Sequence, residues 1–189
     1  MTASRAAYAF AKLKFPGRDE IFLCYLSTMM IPWYVILIPQ FFIMQKLHLY
    51  DTHWSLILTG AFNVFGVFLL RQNMLSIPDS LAEAAKIDGC GPWGIYVKII
   101  LPLCTTSLAT LVVLTFNSVW NDYMGPMIYL DTDSKKTIQL GLATFRRQFD
   151  TDYGAIMAGT TLSLIPVVIL YAVAQKYIVE GIAYAGVKG

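Results

Sequence analysis

Four long stretches of this chain carry no charged residue, and nothing else in the sequence limits its fold as tightly. Ile21 to Gln45 gives 25 residues without Asp, Glu, Lys or Arg, Ile99 to Asn121 gives 23, and Tyr153 to Gln175 gives another 23. Ser55 to Leu70 adds 16, following His53 and Trp54. A helix rises about 1.5 Å per residue, so roughly 20 residues cross a hydrocarbon core of about 30 Å. Three stretches clear that length, and the fourth reaches it when His53 and Arg71 lie at the interfaces. The alternative, a soluble helical protein with a very apolar core, needs a polar face on each helix that these stretches lack. Of the whole chain 57% is hydrophobic and 14% charged, against about 25% charged in soluble domains. The chain is therefore predicted to be all-α, a polytopic membrane helical bundle with four full transmembrane helices over 21–45, 53–71, 99–121 and 153–176.

Residues 1–15 are apolar and Ala-rich but short, and Arg5 interrupts them. About 13 residues of helix reach only about 20 Å, and an Arg near mid-bilayer costs roughly 2.5–3.5 kcal/mol. The layout is not that of a signal peptide. These features predict the remnant of a fifth span, in a chain whose start is missing.

Basic residues set the orientation. Omitting Arg5, and letting the four spans alternate, eight Lys and Arg fall on one side and five on the other. The positive-inside rule places the eight, which include Lys12, Lys14, Arg18, Arg71, Lys86 and Lys98, in the cytoplasm. Segments 46–53 and 122–152 then face outward, with Trp54 and Trp120 at the outer ends of their spans. Pro32 and Pro39 each remove a helix hydrogen bond from the first full span, which suits either packing geometry or a pathway helix. Gly154-x-x-x-Ala158 and Ala155-x-x-x-Gly159 give the last span a small-residue face.

Catalytic and metal patterns are missing from the sequence. Cys24, Cys90 and Cys104 have no paired spacing, no Ser/His/Asp or Cys/His set stands out, and no zinc spacing occurs. No carboxylate lies inside a span, which weakens a proton-coupled reading. Polar residues inside spans, Asn63, Asn117, Ser118, Thr160 and Thr161, either line a translocation path or hydrogen-bond between helices.

The 76–98 segment is a cytoplasmic helix-turn-helix. Ser80-x-x-Glu83 reads as a capping box, and Leu81, Ala84, Ala85 and Asp88 share one small, mostly apolar face that a partner could approach closely. "GCGPWG", residues 89–94, has the spacing of a dinucleotide fingerprint. That fingerprint follows a strand, whereas a helix precedes this one, and Pro92 removes an N–H that a phosphate would want. A corner fits better: Gly89 closes one helix in the left-handed region, Gly91 caps the next, and Pro92 takes its first position. Pro102 then bends the entrance to the following span.

Glu83-Ala84-Ala85, Gly89, Ile99, Leu101 and Pro102 stand in the spacing E-A-A-x₃-G-x₉-I-x-L-P. This resembles the signature of the membrane subunits of binding-protein-dependent ATP-binding cassette importers. "MMIPWYVILIPQF", "GVFLLRQNMLSIPDSLAEAAKIDG", "TFNSVWNDYMGPMIYL" and "QKYIVEGIAYAGVKG" resemble the carbohydrate-uptake, maltose-type branch. The resemblance covers essentially the whole chain. Members usually have six spans, and on that pattern this chain holds the tail of the second and the last four.

The resemblance implies transport and no catalysis, in a bacterial inner membrane. It implies a second permease subunit, a cytoplasmic ATPase dimer, an extracytoplasmic solute-binding protein and a sugar substrate, with lipid around the chain and no nucleic acid. This chain would bind no cofactor itself, ATP and Mg²⁺ being held by the ATPase. Glu83, Ala84, Ala85, Asp88 and Gly89 would dock on that ATPase, and Ile99, Leu101 and Pro102 would connect them to the membrane. The rival readings are a permease for another solute, a truncated chain without function, and a secondary transporter or channel.

Overall fold

The computed structural model describes residues 2–145 and 152–186, the last ten as backbone only. Every regular element among the described residues is helical, which bears out the all-α expectation. His53–Leu75 and Tyr153–Lys176 are each long and apolar enough to cross a membrane. The other two apolar runs are broken. The first is divided at Ile31–Pro32, between a short turn over Thr28–Met30 and a helix that starts at Trp33. The second bends by 78° between Pro92–Leu103 and Thr105–Trp120. Proline withholds the N–H that a continuous ladder needs, so both interruptions lie beside one, at Pro32 and Pro102.

The chain forms two compact units. One gathers residues up to Pro32 with Phe62–Val112, and the other gathers Trp33–Ala61 with Val113–Gln175.

The first unit is built on α1 (Thr2–Lys12), α2 (Arg18–Ser27) and α5 (Val64–Leu75), where α3 (Trp33–Lys46) and α4 (His53–Gly60) belong to the second unit. α1 covers the short Ala-rich segment that holds Arg5. It buries Ala3, Ser4, Ala7 and Ala11, with Tyr8 beside them, and α5 buries Gly66, Val67, Leu70 and Met74. Both sets follow the same i, i+1, i+4, i+8 spacing, so one narrow stripe faces another. A Cβ on Gly66 would stand 3.0 Å from Leu111 side-chain carbons and 3.3 Å from Ala3 Cβ. Small residues are what allow this approach. The helices run parallel: Ala3 meets Gly66, and further along Arg71 Nε donates to the Phe10 carbonyl at 3.2 Å. Arg71 also binds Asp19 at 2.9 Å and covers the Phe22 ring. Arg5 is exposed and has a partner: its guanidinium lies 5.3 Å over the Trp93 ring, a cation–π contact that offsets part of the cost reckoned from an isolated Arg.

The second unit adds to α3 and α4 the later part of α9 (Thr105–Trp120), then α10 (Met124–Tyr129), α11 (Ile138–Ala143) and most of α12 (Tyr153–Gly186). α3 continues through Pro39. In α12, Pro166 opens the ladder, and the nearby Ser163 carbonyl accepts the Trp120 indole N–H at 3.0 Å. Trp120 is thus tied to a neighbouring helix, while Trp54 is 60% exposed as an interfacial ring should be. Of the two small-residue pairs in α12, Ala155 and Gly159 are half-buried, with Gly159 seated against Leu142, and Gly154 and Ala158 are exposed.

Candidate functional site

The loop between α5 and α9 forms α6 (Asp79–Ile87), α7 (Pro92–Ile95), a π turn (Tyr96–Ile100) and α8 (Leu101–Leu103). The start of α6 corrects the capping-box expectation. Pro78 is the N-cap, with φ −58° and ψ 135° and no side-chain cap bond. Ser80 therefore lies inside the first turn, too late to cap. Proline's fixed φ sets the boundary, and Asp79 brings a negative charge to the helix start. Lys12 Nζ donates to Asp79 Oδ1 and to the Ile77 carbonyl, each at 2.6 Å. That ammonium holds the Asp79 carboxyl below the usual carboxylate range.

The corner follows its sequence grammar. Gly89 has φ +82°. Its N–H donates to the Lys86 carbonyl at 3.0 Å, and the Cys90 N–H donates to Ala85 at 2.9 Å. These two bonds define a Schellman motif, which satisfies carbonyls the helix end would otherwise leave open. Gly91 is extended at φ −72° and ψ 168°, and Pro92 is the first residue of α7. No strand precedes these glycines among the described residues, so the dinucleotide reading has no structural support here.

The shared small face is also corrected. Ala85 is 6% exposed, packed into its own unit with half-buried Ala82. Leu81, Glu83, Ala84, Lys86, Asp88 and Gly89 face outward, and Ile87 is 87% exposed. The two alanines of the motif divide their roles, one anchoring and one presented. Ile99 and Leu101 are half-buried against the same core and Pro102 is exposed. Sequence reasoning missed the residues that carry most of this packing: Ile95, Tyr96, Ile100 and Cys104 are at most 2% exposed. The i, i+4, i+8 spacing of 96, 100 and 104 was the available signal. The π turn lies directly before Pro102, where a strict α ladder would press the proline ring onto a preceding carbonyl.

The intramembrane polar residues divide between the units. In the first, Asn63 caps α5, its Oδ1 accepting from Gly66 N–H at 2.8 Å. In the second, Asn117 Oδ1 accepts from Asn121 at 3.0 Å, and Thr161 back-bonds to Met157 at 2.8 Å. Thr160 is exposed and its carbonyl accepts from Ser163 at 2.8 Å. Ser118 borders a cavity of about 370 Å³ whose wall includes Trp33, Thr59, Asp122, Tyr129 and Thr137. Among the described residues no three His, Cys, Asp or Glu side chains gather as a metal site.

Segments assigned to one side by charge meet within each unit. Lys12 binds Ile77 and Asp79, and Arg71 binds Asp19. In the other unit Asp51, at φ +54°, accepts from the Asp131 and Thr132 N–H groups, the Thr132 hydroxyl and Lys135 Nζ at 2.6–3.0 Å. Bonded first by Lys135 and then by Thr132 and the backbone, the Asp51 carboxyl is held well below its ordinary value. A depressed folded-state pKa gives stability present above about pH 4 and lost as pH falls through the folded value. Asp51→Asn is therefore expected to lower the thermal midpoint at pH 7, and the gap to wild type should narrow progressively as pH falls below about 4. A constant gap down to pH 2 would contradict this role.

Apolar helices long enough to span, with a helix-corner-helix between two of the apolar runs, define a polytopic membrane protein. The chain belongs to the binding-protein-dependent transport system inner membrane component family, whose model matches residues 3–184. It is 37% identical over 187 residues to the arabinooligosaccharides transport system permease protein AraQ of Halalkalibacterium halodurans, covering 99% of this chain and 67% of that protein. It is 39% identical to the probable ABC transporter permease protein YurM of Bacillus subtilis, covering 97% of this chain and 62% of that one. A crystal structure of a bacterial ABC transporter involved in import of the acidic polysaccharide alginate superposes with TM-score 0.81 at 30% identity, covering 93% of this chain and 69% of that one. The chain thus spans about two thirds of the relatives' length.

Proposed function

We propose that this chain is a permease subunit of an ATP-binding cassette importer that moves a sugar delivered by an extracytoplasmic binding protein. The observation that carries the reading is the outward face of α6, with Glu83, Ala84 and Ile87 presented on a helix fixed at both ends. A rigid capped helix joined to bent helices can convert rigid-body motion of a cytoplasmic partner into an inward/outward shift. Two cytoplasmic ATPase subunits hold ATP and Mg²⁺ and supply that motion. This chain holds no cofactor and performs no catalysis. A second permease subunit completes the pathway, to which Asn63, Asn117, Ser118, Thr160 and Thr161 contribute. The wall around Ser118, with an aromatic ring, hydroxyls and the Asp122 carboxylate, suits a polyhydroxylated solute. An oligosaccharide substrate is supported by the relatives' names.

Proteoliposomes holding the chain with its ATPase, partner permease and binding protein provide the test. Uptake of labelled oligosaccharide is expected only with ATP inside and binding protein outside. Uptake driven by an ion gradient without ATP would establish a secondary transporter instead.

A further inference from the structure

The coupling loop is held by more than the chain segments that lead into it, because α1 reaches both of its ends. At the entry, Lys12 Nζ, on a side chain only 6% exposed, binds the Ile77 carbonyl and Asp79. At the exit, Tyr8 Oη donates to the Pro92 carbonyl at 3.1 Å, and the Ser4 and Tyr96 hydroxyls share a bond of 2.8 Å. The rings of Tyr8 and Tyr96 pack with centroids 5.1 Å apart, and Arg5 covers Trp93. One helix therefore brackets α6 and its corner. The same helix is locked to α5 through the small-residue stripe around Ala7, which is 0% exposed. Movement of α6 has two physical routes, along the chain through α7 and across it through α1.

We propose that α1 is the second arm of the coupling device, with Lys12 and Tyr8 as positioning residues that pass movement of α6 to the α1–α5 pair. The proposal rests on the transport reading above. The Lys12 ammonium is buried while the Asp79 carboxylate is 75% exposed and open to water, so removing the ammonium costs chiefly the bond to the buried Ile77 carbonyl. A tyrosine hydroxyl on a carbonyl is lost without loss of ring packing when phenylalanine replaces it.

The test compares Lys12→Met, Lys12→Arg and Tyr8→Phe chains, each assembled with its partner subunits in proteoliposomes. Lys12→Met is expected to raise the ATP hydrolysed per sugar moved at least about threefold, with Tyr8→Phe smaller in the same direction. Lys12→Arg should restore the ratio. Amide exchange over 79–88 should quicken in Lys12→Met and recover in Lys12→Arg. An unchanged ratio in both Lys12→Met and Tyr8→Phe, in complexes that transport, overturns the proposal. Should the wild-type complex move no sugar, the transport reading fails. Exchange then tests the link between α1 and α6 separately, and unchanged rates in Lys12→Met overturn the proposal.

Discussion

Replacing Gly89 by valine is expected to reduce sugar uptake at least about tenfold while ATP hydrolysis by the partner subunits continues. Gly89 has φ +82°, and a Cβ built on it meets nothing within 4 Å. The cost is therefore torsional and not a clash. Left-handed backbone costs an L-residue roughly 1–2 kcal/mol, and a β-branched side chain is the least tolerant of it. The corner can relieve that cost only by giving up the Schellman bonds from Gly89 and Cys90, which redirects α7 against α6. Since 1.4 kcal/mol is a factor of ten, even a modest bias away from the native corner should show. Gly89→Asn, which enters this region more readily, should keep most of the uptake. Uptake and hydrolysis measured on the same proteoliposomes separate the two variants. Equal uptake by Gly89→Val and wild type would contradict the role given to the corner.

The second large effect is expected at Gly66, where α1 and α5 come closest. Its missing Cβ would stand 3.0 Å from two Leu111 carbons and 3.3 Å from Ala3. Leu111 can give by rotating, but the Ala3 methyl is fixed to the α1 backbone. Gly66→Val therefore pushes the helices apart, an overpacking that costs typically 1–3 kcal/mol. Gly141→Ala is the contrast, because nothing lies within 4 Å there. In a helix that change gains roughly 0.5–1 kcal/mol through backbone entropy. Thermal unfolding of the purified chain in detergent should move down for Gly66→Val and slightly up for Gly141→Ala. A Gly66→Val midpoint equal to wild type would show that the stripe is not tightly packed.

These sites show what the sequence could and could not disclose. The corner was legible because its rules act through single local residues: Gly89 permits the left-handed turn and Pro92 is favoured at a first helical position. The start of α6 was misread because two local signals competed. Ser80 offered a cap, but Pro78 fixed the backbone two residues earlier, and the bond from Lys12 to Asp79 comes from 67 residues away. The face of α6 was misread for a similar reason. Spacing placed Ala84 and Ala85 together on one face, but packing turned Ala85 inward and left Ala84 and Ile87 outside. Arg5 looked unfavourable because a linear reading could not supply Trp93 as its partner. The apolar runs gave the location of the membrane-spanning material, and Pro32 and Pro102 marked where two of them break. That the second break is preceded by a π turn depends on how the ladder relaxes around the proline ring, which no residue type specifies.

The central claim is that the outward face of α6 docks on the ATPase. A photo-crosslinking residue placed singly at Ala84, Ala85 or Ile87 of the assembled transporter tests it most directly. Adducts with the ATPase subunit are expected from 84 and 87 and not from 85, whose side chain is buried in its own unit. A transporting complex in which neither 84 nor 87 forms an adduct would contradict the account.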